Sequence, residues 1–487
     1  MKRFKKLISV ILSLCAITSV MSACSWGESQ NDDVTTITWY LPNTFYGKDK
    51  ELVFEKVNDH LEKEYKMKLN IIAIDDGNYN SKMQVINAAR ENYDLAFTSN
   101  WTNDYYTCAT NGAFTDITEM LPKYAPSLWA SMKPELWEAA KVDGKIFAAP
   151  NWQIQAKALN LRIPECNIED AGVDFDAISN LEDIEVYMKK LNEKLPEVDG
   201  AGTAYPHILS YYGLVELASE GMPGVIYFEK NGKPTVYNQY ELPELRQYFE
   251  WKRGMVEKGY LSNVYNPDGK KKKTDRVTTT AYILGGYKPG GATEFELANG
   301  YAVRDKVFSK AILSQSSVTA TMTGVSATSK HPEKAVQMLE ILHTDKYVYN
   351  LLAWGIEGTH YTKINDNKIR IVPNSGYDRI ANWKLASVKN SYILENQPDD
   401  IWEQTEEYNN SAIISPVIGI NFKTDEVSVQ LANCKTVIAE SYDMLELGLV
   451  DVDEGLSKLI NDLKKAGSDD IINCLQKQID EWWAANK

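Results

Sequence analysis

The spacing of apolar residues changes repeatedly along this chain, and each change predicts an element. Residues 37–41 (ITWYL) are a short apolar run closed by Pro42-Asn43, which reads as a strand. Over 51–66, Leu52, Val53, Val57 and Leu61 recur at helical spacing and predict an amphipathic helix. Residues 69–74 (LNIIAI) predict a second strand, 79–90 a helix, and 95–98 a third strand. Parallel strands need a crossover connection, so this alternation predicts a parallel sheet. Trp39 falls on the inward alternation of its strand and is assigned to the core.

Further on, 145–150 (KIFAAP) predicts a short strand, followed by Asn151-Trp152-Gln153. Residues 179–194 carry a stripe of Leu181, Ile184, Met188 and Leu191, with Ser179 and Glu182 read as a capping box. A second amphipathic helix is predicted at 241–258. A strand at 280–284 runs into a glycine-rich loop, 285–291 (GGYKPGG). The β-branched run 318–326 (VTATMTGVS) predicts extended chain, and His331-Pro332-Glu333 opens a helix with proline in its first turn. Residues 268–273 (DGKKKK) read as a solvated loop. The chain ends in helices at about 426–447, 452–466 and 469–485. No internal repeat is present.

Residues 1–24 break this pattern. Lys2, Arg3, Lys5 and Lys6 precede an apolar run from Leu7 to about Met21, and Ser22-Ala23 lead into Cys24. A charged start, a short apolar middle and small residues before a cut are the parts of an export signal. The run is shorter than the roughly 20 residues that a membrane span needs. The junction resembles the lipobox of bacterial lipoproteins, with Met21 where leucine is usual. That resemblance implies cleavage before Cys24, acylation of its sulfur, and anchoring at the outer face of the cytoplasmic membrane. Two or three acyl chains anchor durably where one does not. The other reading is an ordinary secretory signal that leaves Cys24 plain. Residues 25–35 are polar and read as a tether.

Size and charge narrow the remainder. A chain of 487 residues holds two or three domains with sizeable cores. The net charge is −15, and the leader contributes only positive side chains, so the rest is more acidic still. Such a chain is a poor partner for nucleic acid or anionic polymers. Cys108, Cys166, Cys434 and Cys474 match no zinc spacing and read as four buried thiols, with disulfides the other possibility outside the cell. No GK[ST] phosphate loop, GxGxxG after a strand, HExxH or GxSxG is present. The five histidines are scattered, so triads and zinc sites lack their usual ingredient. Glycosidases need only two carboxylates, so an enzyme of that kind stays open. Asp451-Val452-Asp453 begins like a calcium loop, lacks the later ligands, and reads as a helix N-terminus. No cofactor or metal is expected.

The order of these pieces resembles the extracellular solute-binding proteins of bacterial ABC importers, in the branch that mostly takes carbohydrates. The segments that carry the likeness are ITWYLPN at 37–43, NYDLAFTSN at 92–100 and NGAFTDITEML at 111–121. They continue with VDGKIFAAPNW at 142–152, TGVSATSKHPEKAVQMLEIL at 323–342 and WGIEGTHY at 354–361. The helical end, closing on QIDEWW, resembles a lipoprotein-rich subgroup with its own C-terminal region. The resemblance implies an α/β, two-lobed, periplasmic-binding-protein-like (type II) fold with a hinge and a helical C-terminus. It places the leader at 1–23, a tether at 24–35, one lobe at 36–150 with about 322–400, and the other at 151–321 with about 401–487. Crossings are expected near 149–152, 320–326 and 400. It further implies a monomer that closes on an oligosaccharide and presents it to a membrane permease.

A sugar offers hydroxyl edges and weakly apolar faces, so its site needs aromatic plates and polar side chains. Position selects Asn43, Thr44 and Tyr46 after the first strand, Asn100 and Trp101 after the third, and Asn151 and Trp152 at the hinge. The second lobe offers Tyr211, Tyr212 and Tyr287, and the return segment offers Trp354, Glu357 and Trp383. A peptide or other polar metabolite is the runner-up ligand. An anionic ligand would need a counter-charge, for which Arg162 and Lys157 are the nearest basic residues. Trp482 and Trp483 read as helix packing. An adhesion module that never closes is a third class.

Overall fold

The computed structural model describes residues 34–195, 207–218, 221–230, 232–261 and 282–486. The leader, Cys24 and the DGKKKK loop lie outside the described residues. The first sheet has five strands in the order Met67–Ile74, Thr35–Pro42, Leu95–Thr98, Met322–Val325, Ala148–Pro150. The first three are parallel, as the alternation predicts, with Trp39 opposite Ile71 and Leu95. Met322–Val325 runs antiparallel to both of its neighbours, so the whole sheet is mixed. It starts at the edge where Leu95–Thr98 and Ala148–Pro150 end.

Local rules explain the flanking helices. Lys50–Tyr65 buries Val53, Val57 and Leu61 and stops at Lys66, which takes a left-handed conformation at φ 55°. Asp75 caps Asp76–Ala89 by accepting from the Gly77 amide. Two expectations shift. The helix at 181 is capped by Asn180, which accepts from the Asp183 amide, while Asp183 Oδ2 accepts from the Ser179 amide and hydroxyl. The reciprocal cap therefore uses Asp183 in place of Glu182. Within 318–326 only Met322–Val325 is a strand. Ser314 and Ser317 form a capping box that turns Gln315–Val318 into a helical turn.

Two cores define two lobes. One runs from Ile37 to Trp152 and resumes from Leu313 to Leu394; Trp39 is fully buried in it. The other runs from Leu159 to Phe308 and resumes from Val417 to Ile479. Between them lies a small cluster of Ala156, Ala158 and Ala311 packed against Tyr408 and Ala412. The chain therefore crosses between Trp152 and Leu159, between Phe308 and Leu313, and between Leu394 and Val417. The return falls before the helical turn Gln315–Val318, earlier than the expected 320–326, because that turn already packs in the first core. At the crossing Lys157 bridges Ile312, and Ile312–Leu313 pairs with Ile413–Ile414, giving a three-stranded ribbon.

The second lobe centres on a sheet ordered Tyr282–Gly285, Leu159–Pro164, Val303–Val307, all antiparallel. The helices Ser428–Glu446, Val452–Ala466 and Ser468–Asn486 complete its core through Cys434, Leu459, Leu463 and Leu475. Asp451 caps the middle one, accepting from the Asp453 and Glu454 amides, as the acidic start implies. All four described cysteines are free thiols. Cys108 and Cys434 are buried as expected, whereas Cys166 is exposed and Cys474 half-buried, because both sit off the buried faces of their helices, Glu165–Ala171 and Ser468–Asn486. Among the described residues, no helix is long and apolar enough to cross a membrane.

Candidate functional site

The first-sheet edge that faces the second lobe gathers the ends of Thr35–Pro42, Leu95–Thr98 and Ala148–Pro150 with the start of Met322–Val325. Ligands in open α/β sheets bind where strand ends and their loops converge. Past Thr98, the Ser99 hydroxyl accepts from the amides of Trp101 and Thr102 and closes a tight turn. That turn throws Trp101 outward, 55% exposed, while its indole N–H donates to the Ala320 carbonyl at 2.9 Å. Asn100 is tied to the same segment, donating to the carbonyls of Thr319 and Ser316.

Trp383 completes the platform. Its ring centroid lies 6.1 Å from Trp101 and 5.9 Å from buried Phe97, and it is 36% exposed. Two neighbours fix it. Asn151, only 2% exposed, donates to its carbonyl at 3.1 Å. Lys384, buried beside it, donates to the Pro42 carbonyl and to Asp76 Oδ1 at 2.6 and 2.7 Å. The Lys384 ammonium also lies 5.0 Å from the Trp383 ring. A buried lysine is stable only with such partners.

The structure brings Asn100, Trp101 and Trp383 together and sets Asn151 beneath them as a support. Trp152 is buried, its backbone bonded to Ala386 and Val388, with the Lys389 ammonium 4.2 Å from its ring. It packs the hinge. Asn43 is also buried, its amide bonded to the Ile74 carbonyl. Tyr46 is 86% exposed at the tip of a loop whose amides, its own and that of Gly47, donate to Asp378. In the second lobe, Tyr211 stacks on Phe308 at 5.4 Å and touches Tyr212, and Tyr287 packs edge-on to Tyr408 at 5.1 Å. Both stand where strands of the second sheet end toward the hinge.

Trp354 and Glu357 are placed elsewhere. Trp354 is core, its N–H donating to Ser391 Oγ, and Glu357 pairs with Lys363 at 3.3 Å on an exposed loop. Of the two basic residues, Arg162 is spent on a bidentate pair with Asp305 at 2.6 Å. Lys157 has no hydrogen-bond or ion-pair partner for its ammonium among the described residues. Solvent reaches it, yet protein crowds it on most sides, and that desolvation lowers its pKa. Arg379, which composition alone did not single out, lies over the Trp354 ring at 4.7 Å. Solvent reaches it, yet nearby protein desolvates it and lowers its pKa, which Glu294 of the second lobe partly restores. Its position just before Trp383 was the available signal. Among the described residues no group of His, Cys, Asp or Glu is arranged to hold a metal.

Two α/β lobes, a three-crossing hinge and an aromatic platform on the facing edge give the chain a two-lobed, periplasmic-binding-protein-like fold. The comparisons with known proteins agree. The chain is 26% identical over 494 residues, 99% of each chain, to a carbohydrate ABC transporter substrate-binding protein of Streptococcus pneumoniae serotype 4 (strain ATCC BAA-334 / TIGR4). Its fold matches the N-glycan transport solute binding protein NgtS of Streptococcus pneumoniae at a TM-score of 0.83, with 24% identity, covering 93% of this chain and 100% of that one. Against NgtS in complex with Man1GlcNAc the TM-score is 0.72, with 24% identity over 92% of this chain and 99% of that one. Against the Man5GlcNAc complex it is 0.69, with 24% identity over 93% and 99%. Residues 416–484 match a family described as a domain of unknown function (DUF3502).

Proposed function

We propose that this chain is the substrate-binding component of an ABC importer and captures an oligosaccharide between its lobes without covalent chemistry. The observation that carries this is the Trp101–Trp383 pair, two solvent-facing indoles on the edge opposite the second lobe. Exposed aromatic faces of this kind stack on pyranose rings, and Asn100 supplies hydrogen bonds for hydroxyls. Tyr211 and Tyr287 would meet the ligand from the second lobe on closure. The agreement with NgtS falls for its two glycan complexes at unchanged identity, which supports reading the described arrangement as the open one. The chain works as a monomer, held at the extracellular face of the membrane by a lipid on Cys24.

A ligand with an anionic group is the second reading, favoured by Lys157, whose ammonium has no partner among the described residues. Calorimetry against Man5GlcNAc, other neutral oligosaccharides, uronate-bearing oligosaccharides and peptides separates the two. Binding confined to neutral glycans supports the first reading. Binding confined to acidic glycans, lost in Lys157→Ala, supports the second. Binding of peptides alone overturns both. Cys24→Ser should release the chain from the membrane, and retention of an acylated chain would overturn the anchor.

A further inference from the structure

The region matching the family of unknown function begins at residue 416, just past the third crossing, and it joins both lobes. Its helices belong to the second lobe: Cys434, Leu459 and Leu475 are fully buried in that core, and Glu446 pairs with Lys252 at 3.0 Å. Residues 417–423 are two-faced. Val417 and Ile420 enter the second core, whereas Ile418 packs against the first. Between them, polar groups reach the first lobe. Gln315 Nε2 donates to the Ala139 carbonyl at 2.5 Å and to Asn421 Oδ1 at 3.1 Å, and its Oε1 accepts from the Gly419 amide at 3.1 Å. Asn421 Nδ2 donates to the Lys141 carbonyl at 2.5 Å. Lys423 lies 3.3 Å from Asp143, at the tip of a first-lobe hairpin, while its backbone is held by Gln478 of the last helix. Gly419 sits at φ 94°, and a Cβ there would meet Glu138 Cγ at 3.3 Å, so the approach favours glycine.

We propose that residues 416–423 and the helices behind them form a strut that holds the lobes in the described arrangement, and that its bonds to Gln315, Lys141 and Asp143 break when the lobes close. The proposal rests on the closure reading above. Val417 and Ile420 move with the second lobe, Lys141 and Asp143 with the first, and Lys423 lies well beyond the ribbon strand Ile413–Ile414 about which the lobes turn. Contacts present in one arrangement and absent from the other shift the equilibrium toward the first. The strut therefore lowers the population of the closed form and weakens apparent affinity by that fraction.

The test is ligand-free solution scattering and Man5GlcNAc calorimetry on full-length Gln315→Ala/Asn421→Ala beside the wild type. The expected result is a smaller ligand-free radius of gyration and binding about fivefold tighter, the effect of removing roughly one net hydrogen bond from the open state. An unchanged ligand-free profile, or weaker binding, overturns the strut. If the double variant does not fold, exposed Lys423→Glu, which sets two carboxylates face to face, must move the same readouts in the same direction. A wild type that binds glycan without compacting overturns the closure reading, and the ligand-free comparison still decides whether the strut sets the lobe angle.

Discussion

The indole rings of Trp101 and Trp383 lie 6.1 Å apart, tilted 56° to one another, and each is held by a bond made outside its own turn. Trp101 donates its N–H to Ala320, and Trp383 accepts at its carbonyl from Asn151. Because Trp101 is 55% exposed, its truncation should remove ligand contact and little packing. Trp101→Ala is expected to weaken glycan binding about 30-fold, the loss typical of an aromatic anchor, with the melting temperature nearly unchanged. Calorimetry and a thermal melt check both halves. Undiminished affinity in a folded variant would remove Trp101 from the site.

Trp354 should behave in the opposite way. It is buried in the first core with its N–H bonded to Ser391. Trp354→Ala is expected to cost about 3–5 kcal/mol of stability, measured by urea unfolding. The folded fraction should keep wild-type glycan affinity. A large loss of affinity with intact stability would place Trp354 in the ligand site.

His343 makes stability depend on pH. It is buried, and desolvation pushes its pKa down to about 3, well below the unfolded value of about 6.5. Between those values the unfolded chain binds a proton that the folded chain refuses. Stability is therefore full above about pH 6.5 and falls as pH drops toward 3, by about 1.4 kcal/mol per pH unit from this group. His343→Gln should flatten the dependence by that slope. Urea midpoints at several pH values read it, and parallel curves for the two proteins would contradict the assignment.

The thiols should sort by burial. Burial pushes Cys108 up to about 12 and Cys434 up to about 11, so neither forms thiolate at neutral pH. In a chain beginning at Ser25, a thiol reagent should label Cys166 fast, Cys474 more slowly, and the other two only after denaturation. Since all four are free, reductant should leave the melting temperature unchanged. A reductant-dependent melt would reveal a disulfide.

Legibility in the sequence followed the range of the interactions. The strands at 37–41, 69–74 and 95–98 were readable because short apolar runs and turn residues act locally. So were the helices, through Val53, Val57 and Leu61 on one face and Asp451 at a cap. The capping box was misread by one residue, since Ser179 and Asn180 both suit the role and only the backbone path chooses. Trp101 and Trp383 were chosen as separate strand-end and loop aromatics. Nothing local said that they face each other, or that Trp354, equally aromatic and equally close to a loop, turns inward.

The sequence alone determined the alternation of helix and strand, the acidic character and the order of segments that resembles a solute-binding protein. These follow from spacing, composition and propensity within short windows. Tertiary structure alone decided the antiparallel insertion of Met322–Val325, the crossing points, the pairing of Arg162 with Asp305, and the clasp of Gln315 on Asn421. Each of these depends on which distant groups share a boundary, and burial and hydrogen-bond satisfaction settle that only when the whole chain is packed.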